Sequence, residues 1–262
     1  MRKQVIPIMF ALAILSLPSA DAQDSGMKTF PSPQAASETL FRTVQKDDQK
    51  SLEAILGKEL VTSGKESEDK LEHQRFAEKY QQMHRLVQEP DGRTVLYIGA
   101  ENWPFPVPLV SENGKWHFDP EAGMKEILFR RIGENETTAF TVARLATKPA
   151  NSTNSKKPDT TDLDVDDAAS KFAATLRNPS GSSSGDMTFH GYCFVKKPSA
   201  DKAKKSDQVV LIAYPAEYRS SGVVTFFVTA NGSVYEADLG EDTPKVAPTI
   251  AKRAHSGWYP AE

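Results

Sequence analysis

His117 and Asp119 stand two residues apart in the run Lys115-Trp116-His117-Phe118-Asp119. On a strand, that spacing puts both side chains on one face. An imidazole beside a carboxylate can act as a general base with its orienting partner. Tyr97 and Trp103 could wall a pocket around the pair, and His84 is a further ligand-binding candidate. A structural reading competes with this and is preferred. In it Trp116 and Phe118 fill a core, His117 points to solvent, and Asp119 caps the helix that opens at Pro120.

The other reactive residues are scattered. Of the five histidines (His73, His84, His117, His190 and His255), none pair at metal-helix spacing, and no Cys/His cluster is present. No metal or other cofactor is therefore expected. Ser220-Ser221-Gly222 lacks the Gly-x-Ser-x-Gly elbow of a nucleophilic serine, so it reads as a turn feeding the next strand. Cys193 is the single cysteine, flanked by Tyr192 and Phe194, and reads as a small buried hydrophobe. Gly-rich phosphate loops are absent: Ser180 to Gly185 lacks both a lysine and a strand–helix frame. Lys196-Lys197 and Lys202 to Lys205 form a basic excursion, by default a solvated hairpin tip and alternatively a contact for anionic polymer.

These residues must be positioned by a chain of 262 residues, 39% hydrophobic and 26% charged, long enough for one large domain or two small ones. The net charge of −3 supplies no basic field for nucleic acid, which is not expected as a partner. The N-terminus reads as a secretory signal. Arg2 and Lys3 precede an apolar run from Val5 to Leu17, and Ala20-Asp21-Ala22 fits a small-x-small cleavage site. The run is too short to span a bilayer. Cleavage before Gln23 would give a periplasmic or secreted protein without an integral membrane segment.

Residues 23–31 read as a flexible lead-in. Ser32-Pro33 opens a helix with Ala36, Leu40, Phe41 and Val44 on one face, and a second helix carries Leu52, Ile55 and Leu56 and stops at Gly57. A third is expected over Ser67 to His84. Strands follow at Leu86-Val87 and Thr94 to Ile98. Then come two apolar strands, Trp103 to Val110 and Lys115 to Asp119, joined by an Asn113-Gly114 hairpin turn. A helix from Pro120 to Ile132 should turn Met124, Ile127, Leu128 and Ile132 to the core, with Gly133 interrupting it before a resumption at Asn135. Lys148 to Asp162 is linker-like, Asp164 to Arg177 is a short helix, and Pro179 to Asp186 is flexible. Beyond it lie strands at His190 to Val195, Val209 to Ala213, Val223 to Ala230 and Ser233 to Ala237, the last two flanking Asn231-Gly232. Val223 to Val228 is too apolar for a strand with one wet face and should be central in its sheet. Residues 241–262 form a tail held by Trp258 and Tyr259.

Several blocks together resemble one bacterial family, the domain of unknown function 2950. They are Trp103-Pro104-Phe105-Pro106-Val107-Pro108-Leu109-Val110, Gly114 to Asp119, Glu126 to Gly133 with Asn135-Glu136, Phe189-His190-Gly191-Tyr192, Ala213 to Val223, Asn231 to Gly240, and Gly257-Trp258-Tyr259-Pro260. The resemblance implies an exported protein and transfers no catalytic residue. Members carry a longer middle than Lys148 to Asp186 provides here. More distantly, residues 33–132 resemble the nuclear-transport-factor-2-like layout, and residues 189–240 resemble the globular sheet of some pseudopilins. Both are likenesses of fold alone.

The expected architecture is α+β: a helix-wrapped curved antiparallel sheet followed by a smaller antiparallel sheet domain. Its divisions are a leader at 1–22, an N-terminal α+β domain at 23–147, a low-complexity linker with a short helix at 148–188, and a C-terminal sheet domain at 189–262. The expected function is a non-enzymatic envelope module whose partner is an envelope protein or an anionic surface polymer. The alternative is a small-molecule-binding or hydrolytic domain using a pocket in the N-terminal half. A pilus-like subunit is a third reading, weakened because a pilin keeps its apolar N-terminal helix beside its globular domain. The sequence leaves the oligomeric state open.

Overall fold

The computed structural model describes residues 27–61, 66–147, 163–177, 187–197, 207–252 and 256–261. The expected leader at 1–22, the linker-like stretch 148–162, the flexible stretch 179–186, and Lys202 to Lys205 lie outside the described residues. The chain forms two compact units that divide between Pro120 and Glu121. The fold is α+β, with one antiparallel sheet in each unit.

In the first unit, helix α1 (Pro33–Gln45) starts where Ser32 Oγ accepts the Ala35 amide at 3.1 Å, with Pro33 at the first helical position. Helix α2 (Gln49–Leu56) is capped by Asp48, which accepts the Ser51 amide. It ends at Gly57, whose φ of 89° a side chain would resist. Helix α3 (Glu66–Gln82) follows. His84, expected on this helix, instead opens strand β1 (His84–Gln88).

The sheet continues with β2 (Thr94–Ile98), β3 (Trp103–Pro104), β4 (Leu109–Glu112) and β5 (Lys115–Phe118). Its order is β1-β2-β4-β5, with β3 paired to β2. The long strand expected from Trp103 to Val110 is therefore broken in two. Pro104, Pro106 and Pro108 lack the amides a continuous ladder needs. The Asn113-Gly114 turn forms as expected, with φ of 51° and 76°.

Leu40, Leu52, Ile55, Val107, Leu109 and Phe118 make the main core of this unit. Tyr80, Leu96 and Ile98 make a second cluster, where Tyr80 stacks between Phe41 and His84 at 4.4 and 4.0 Å. Part of the expected lead-in is built in as well. Phe30 is buried and exchanges both backbone hydrogen bonds with Trp116, at 2.7 and 2.8 Å.

Helix α4 (Pro120–Thr147) runs unbroken through Gly133, against the interruption expected there. A mid-helix glycine costs only about 1 kcal/mol. Burial of Ala139, Val142 and Ala143 in the core of the second unit opposes that loss. The expected core face is only partly covered at the start of the helix: Met124 and Ile127 are 42% and 40% exposed, while Leu128 and Ile132 are half-buried. Helix α5 (Leu163–Arg177) packs Ala169, Ala173 and Leu176 into the same core. The divide expected after residue 147 thus falls at Pro120, because the buried part of α4 belongs with the second sheet.

That sheet comprises β6 (Met187–Phe189), β7 (Tyr192–Lys196), β8 (Val209–Pro215), β9 (Val224–Thr229), β10 (Val234–Asp238) and β11 (Tyr259–Pro260). Its order is β11-β10-β9-β8-β7-β6, so among the described residues it has six strands and the first sheet five. β9 is interior, as its apolar run predicts. Helices α4 and α5 cover one face. On the other face a C-terminal segment with helix α6 (Thr243–Val246) contributes to a cluster with Ile212, Tyr214 and Phe227. Trp258 stacks on Phe227 at 3.8 Å, while Tyr259 is 67% exposed and pairs with Glu236 through its strand.

Two turns differ from expectation. His190 and Gly191, expected inside a strand, form the β6–β7 hairpin turn with φ of 44° and 70°. At Asn231-Gly232 only Gly232 has positive φ. The loop is longer than two residues, and Asn231 Oδ1 accepts from Thr229 Oγ1 and the Ser233 amide.

Candidate functional site

The five residues singled out in the first unit are spread over both edges and both faces of its sheet. His117 sits on edge strand β5 opposite Val110, on the face away from the fully buried Phe118. Asp119 lies just past the strand, its amide donating to Pro108 O. Strand register places Tyr97 against Arg85 and Pro104, and Trp103 against Ile98. Tyr97 and Trp103 therefore face opposite sides of the sheet. Tyr97 carries the Arg85 guanidinium over its ring at 4.8 Å. His84 is on β1, at the far edge from β5, with Nδ1 2.9 Å from Tyr80 O. A carbonyl only accepts, so that nitrogen carries the proton.

A denser constellation lies in the second unit, where three separated pieces of chain converge. They are one stretch of α4, the β6–β7 turn and the loop Ala216–Gly222 between β8 and β9. On α4, Arg131, Asn135 and Glu136 are four and five residues apart, so they share one edge of the helix. Asn135 Nδ2 donates to Ser221 O at 2.8 Å, and Arg131 Nη2 lies 3.4 Å from Ser220 O. Glu136 Oε1 accepts two backbone amides, Val223 at 2.8 Å and Val224 at 3.1 Å. Tyr192, fully buried, donates to Val224 O at 2.8 Å. Burial pushes the Tyr192 phenol well above its ordinary range, and the neighbouring Glu136 carboxylate pushes it the same way.

The glycines here are dictated by close approach. A Cβ at Gly191 would lie 2.8 Å from both Asn135 Nδ2 and Ser221 Cβ, and one at Gly222 would lie 2.7 Å from carbons of the Tyr192 ring. The loop is also bonded within itself. Ser221 Oγ accepts the Glu217 amide and donates to Glu217 O, and the Arg219 amide donates to Gly222 O at 2.7 Å. The Ala216 amide reaches Gly191 O at 2.9 Å. The Ser221 hydroxyl is thus engaged in its own turn rather than held by a base.

This frame displays side chains. Arg219, a non-glycine residue, is held at φ 61°. Such a conformation persists only where the surroundings over-determine it. The side chains of Glu217 and Arg219 are exposed. The Arg219 guanidinium lies 5.3 Å from the Tyr218 ring, and Tyr218 Oη is fixed to Asp238 Oδ2 at 3.1 Å. The arrangement holds the Tyr218 phenol and the Arg219 guanidinium together, with the Glu217 side chain exposed on the same loop.

The two described lysines of the basic excursion have structural partners. Lys196 Nζ donates to Arg177 O, the last residue of α5, and Lys197 Nζ donates to Pro248 O. Among the described residues no three His, Cys, Asp or Glu side chains gather to hold a metal ion. No described helix is long and apolar enough to cross a membrane.

Ser220-Ser221 reads from the sequence as a turn, and nothing local in it points to Asn135-Glu136. The available signal was the polar pair Asn135-Glu136 on a helix that buries its next turn, beside two glycine-bearing turns.

No curated protein and no solved structure matches the chain. A family model described as "Protein of unknown function (DUF2950)" matches residues 27–188 and 182–259. The blocks Asn135-Glu136, His190-Gly191-Tyr192 and Ala213 to Val223, quoted above for that resemblance, are the ones that converge on the loop. The chain belongs to this family of proteins of unknown function.

Proposed function

We propose that this protein is an exported cell-envelope module that works by binding another protein, with the Ala216–Gly222 loop as its recognition element. The observation that carries the reading is the cost of the loop's conformation. Arg219 is kept in a left-handed backbone while three side chains of α4 bond the segment Ser220 to Val224. Holding a loop this way lowers the entropy lost when its exposed side chains meet a partner. The two described lysines of the basic excursion, Lys196 and Lys197, have their ammonium groups taken up by backbone carbonyls, which at those two positions favours a protein over an anionic polymer. Export is read from the charged, apolar and small-residue segments of residues 1–22.

The test is crosslinking of the tagged protein in intact envelopes, read by mass spectrometry, for the natural sequence and Arg219→Gly. Glycine accepts the positive φ, so the variant removes the guanidinium and keeps the loop. A stoichiometric partner recovered with the natural sequence and lost with Arg219→Gly supports the reading. Equal recovery from both, or recovery of the protein alone, overturns it.

A further inference from the structure

Strand β1 is an edge strand with no neighbour on its outer side among the described residues. Which backbone groups point outward follows from the bonds of β2. Leu96 O accepts from the Phe105 amide at 2.7 Å, on the side away from β1. In an antiparallel strand the amide and carbonyl of one residue point the same way, and successive residues alternate. Val95 and Tyr97 therefore bond to Val87 and Arg85, their register partners. The amides and carbonyls of His84, Leu86 and Gln88 are left facing outward. The Glu89 amide bonded to Arg93 O at 2.8 Å continues the same alternation.

The other edges are blunted. At β5, Trp116 is paired with Phe30. β11 has two residues, one of them proline, and β6 has three. β1 has five residues and, apart from the charge of Arg85, none of the usual guards, with no proline, lysine, glycine or bulge.

We propose that β1 is a homodimer edge. Two copies pair β1 with β1 antiparallel about Leu86, continuing the five-stranded sheet across a two-fold axis. In this register His84 pairs with Gln88 of the second copy, Leu86 with Leu86, and Gln88 with His84. All three outward residues are then used, making six backbone hydrogen bonds. Side chains agree with the register. On the helix-covered face a leucine meets a leucine and an imidazole meets an amide. On the outer face Arg85 stands opposite Val87 of the second copy, and strand twist brings it toward Glu89 of that copy. Within its own copy Arg85 gives its Nε to Asn102 Oδ1 and lays its guanidinium over Tyr97, whose hydroxyl donates to Glu89 Oε1 at 3.3 Å, so the pair between copies uses the Arg85 terminal nitrogens and the second Glu89 oxygen. A two-fold axis makes every such contact twice.

The experiment is light-scattering mass against concentration for the full chain, expressed with its own leader and purified. The expected result is a concentration-dependent rise to twice the single-chain mass. Gln88→Pro removes one outward amide per copy at an exposed edge position and should raise the dissociation constant about tenfold or more. Arg85→Glu and Glu89→Arg should each weaken the dimer, and the two together should restore it. That pattern decides the matter should the proline variant fail to fold. A single-chain mass up to about 0.5 mM overturns the proposal. So does a dimer indifferent to all of these substitutions.

Discussion

Glu136→Ala is the sharpest perturbation of the convergence in the second unit. It removes one acceptor oxygen and strands two backbone amides, those of Val223 and Val224, now bonded at 2.8 and 3.1 Å. A buried donor left without its partner costs roughly 1–3 kcal/mol, and somewhat more when the lost acceptor was charged. Both amides are only partly buried, so water recovers some of the loss, and about 2–4 kcal/mol remains for the pair. Glu136→Gln is the control. Its side-chain oxygen can occupy the same place, so only charge assistance is lost, about 1 kcal/mol. The assay is amide hydrogen exchange with residue resolution over 216–224, together with thermal unfolding. For Glu136→Ala, exchange at Val223 and Val224 should accelerate about a hundredfold, with smaller changes in β7 and β10. Glu136→Gln should fall between that and the natural protein. Exchange within about twofold of the natural protein in Glu136→Ala would refute the reasoning, since two orphaned amides must open more easily. Equal damage from both variants would show that charge, and not the placement of the oxygen, holds the loop.

Three further outcomes are expected. Gly222→Ala drives a Cβ to within 2.7 Å of Tyr192 ring carbons, so it should destabilise by more than about 3 kcal/mol and lower the melting temperature sharply. Tyr192→Phe orphans Val224 O and should cost about 1 kcal/mol at neutral pH. It also tests linkage. The folded phenol's pKa is raised, so its contribution is complete below the unfolded value of about 10 and is lost as pH rises above it. Urea midpoints measured from pH 8 to 11 should therefore fall less steeply for Tyr192→Phe than for the natural protein. Trp258→Ala removes the ring stacked on Phe227 and should cost about 2–3 kcal/mol, read as a lower urea midpoint of the second unit.

Much of the fold is legible because local chemistry and tertiary demand coincide. Ser32-Pro33, Gly57 and Asn113-Gly114 each satisfy a backbone requirement within a few residues, and each sits where the sequence places it. The apolar run at Val224 to Val228 likewise announces an interior strand. The misreadings share a cause, which is that a distant contact decides. Gly133 looks like a helix stop, yet α4 continues because Ala139, Val142 and Ala143 are buried against strands more than forty residues away in sequence. His190-Gly191 looks like the start of a strand until Phe189 is paired with Tyr192.

The candidate site follows the same rule in stronger form. His117 and Asp119 drew notice because chemistry is easiest to imagine between neighbours in sequence, yet their strand serves mainly to seat Phe118 in a core. The loop Ala216–Gly222, Ala-Glu-Tyr-Arg-Ser-Ser-Gly, shows locally only the residues of an exposed turn. Its meaning comes from Asn135 and Glu136, 86 and 87 residues away from the groups they bond. Four polar contacts, two close-packed glycines and a left-handed arginine are more than a β8–β9 connection needs, since a short hairpin loop would join those strands without them. Structure beyond the needs of the fold is the reason to look for a partner at Tyr218 and Arg219 before the imidazoles of the first unit. Arg219→Gly puts that reasoning at risk directly: it should relax the backbone and leave the unfolding midpoint level or higher, while abolishing capture of the partner. Should the same substitution instead lower the midpoint by several degrees, the arginine is part of the fold, and the loop's elaborate bonding is only the way this sheet is closed.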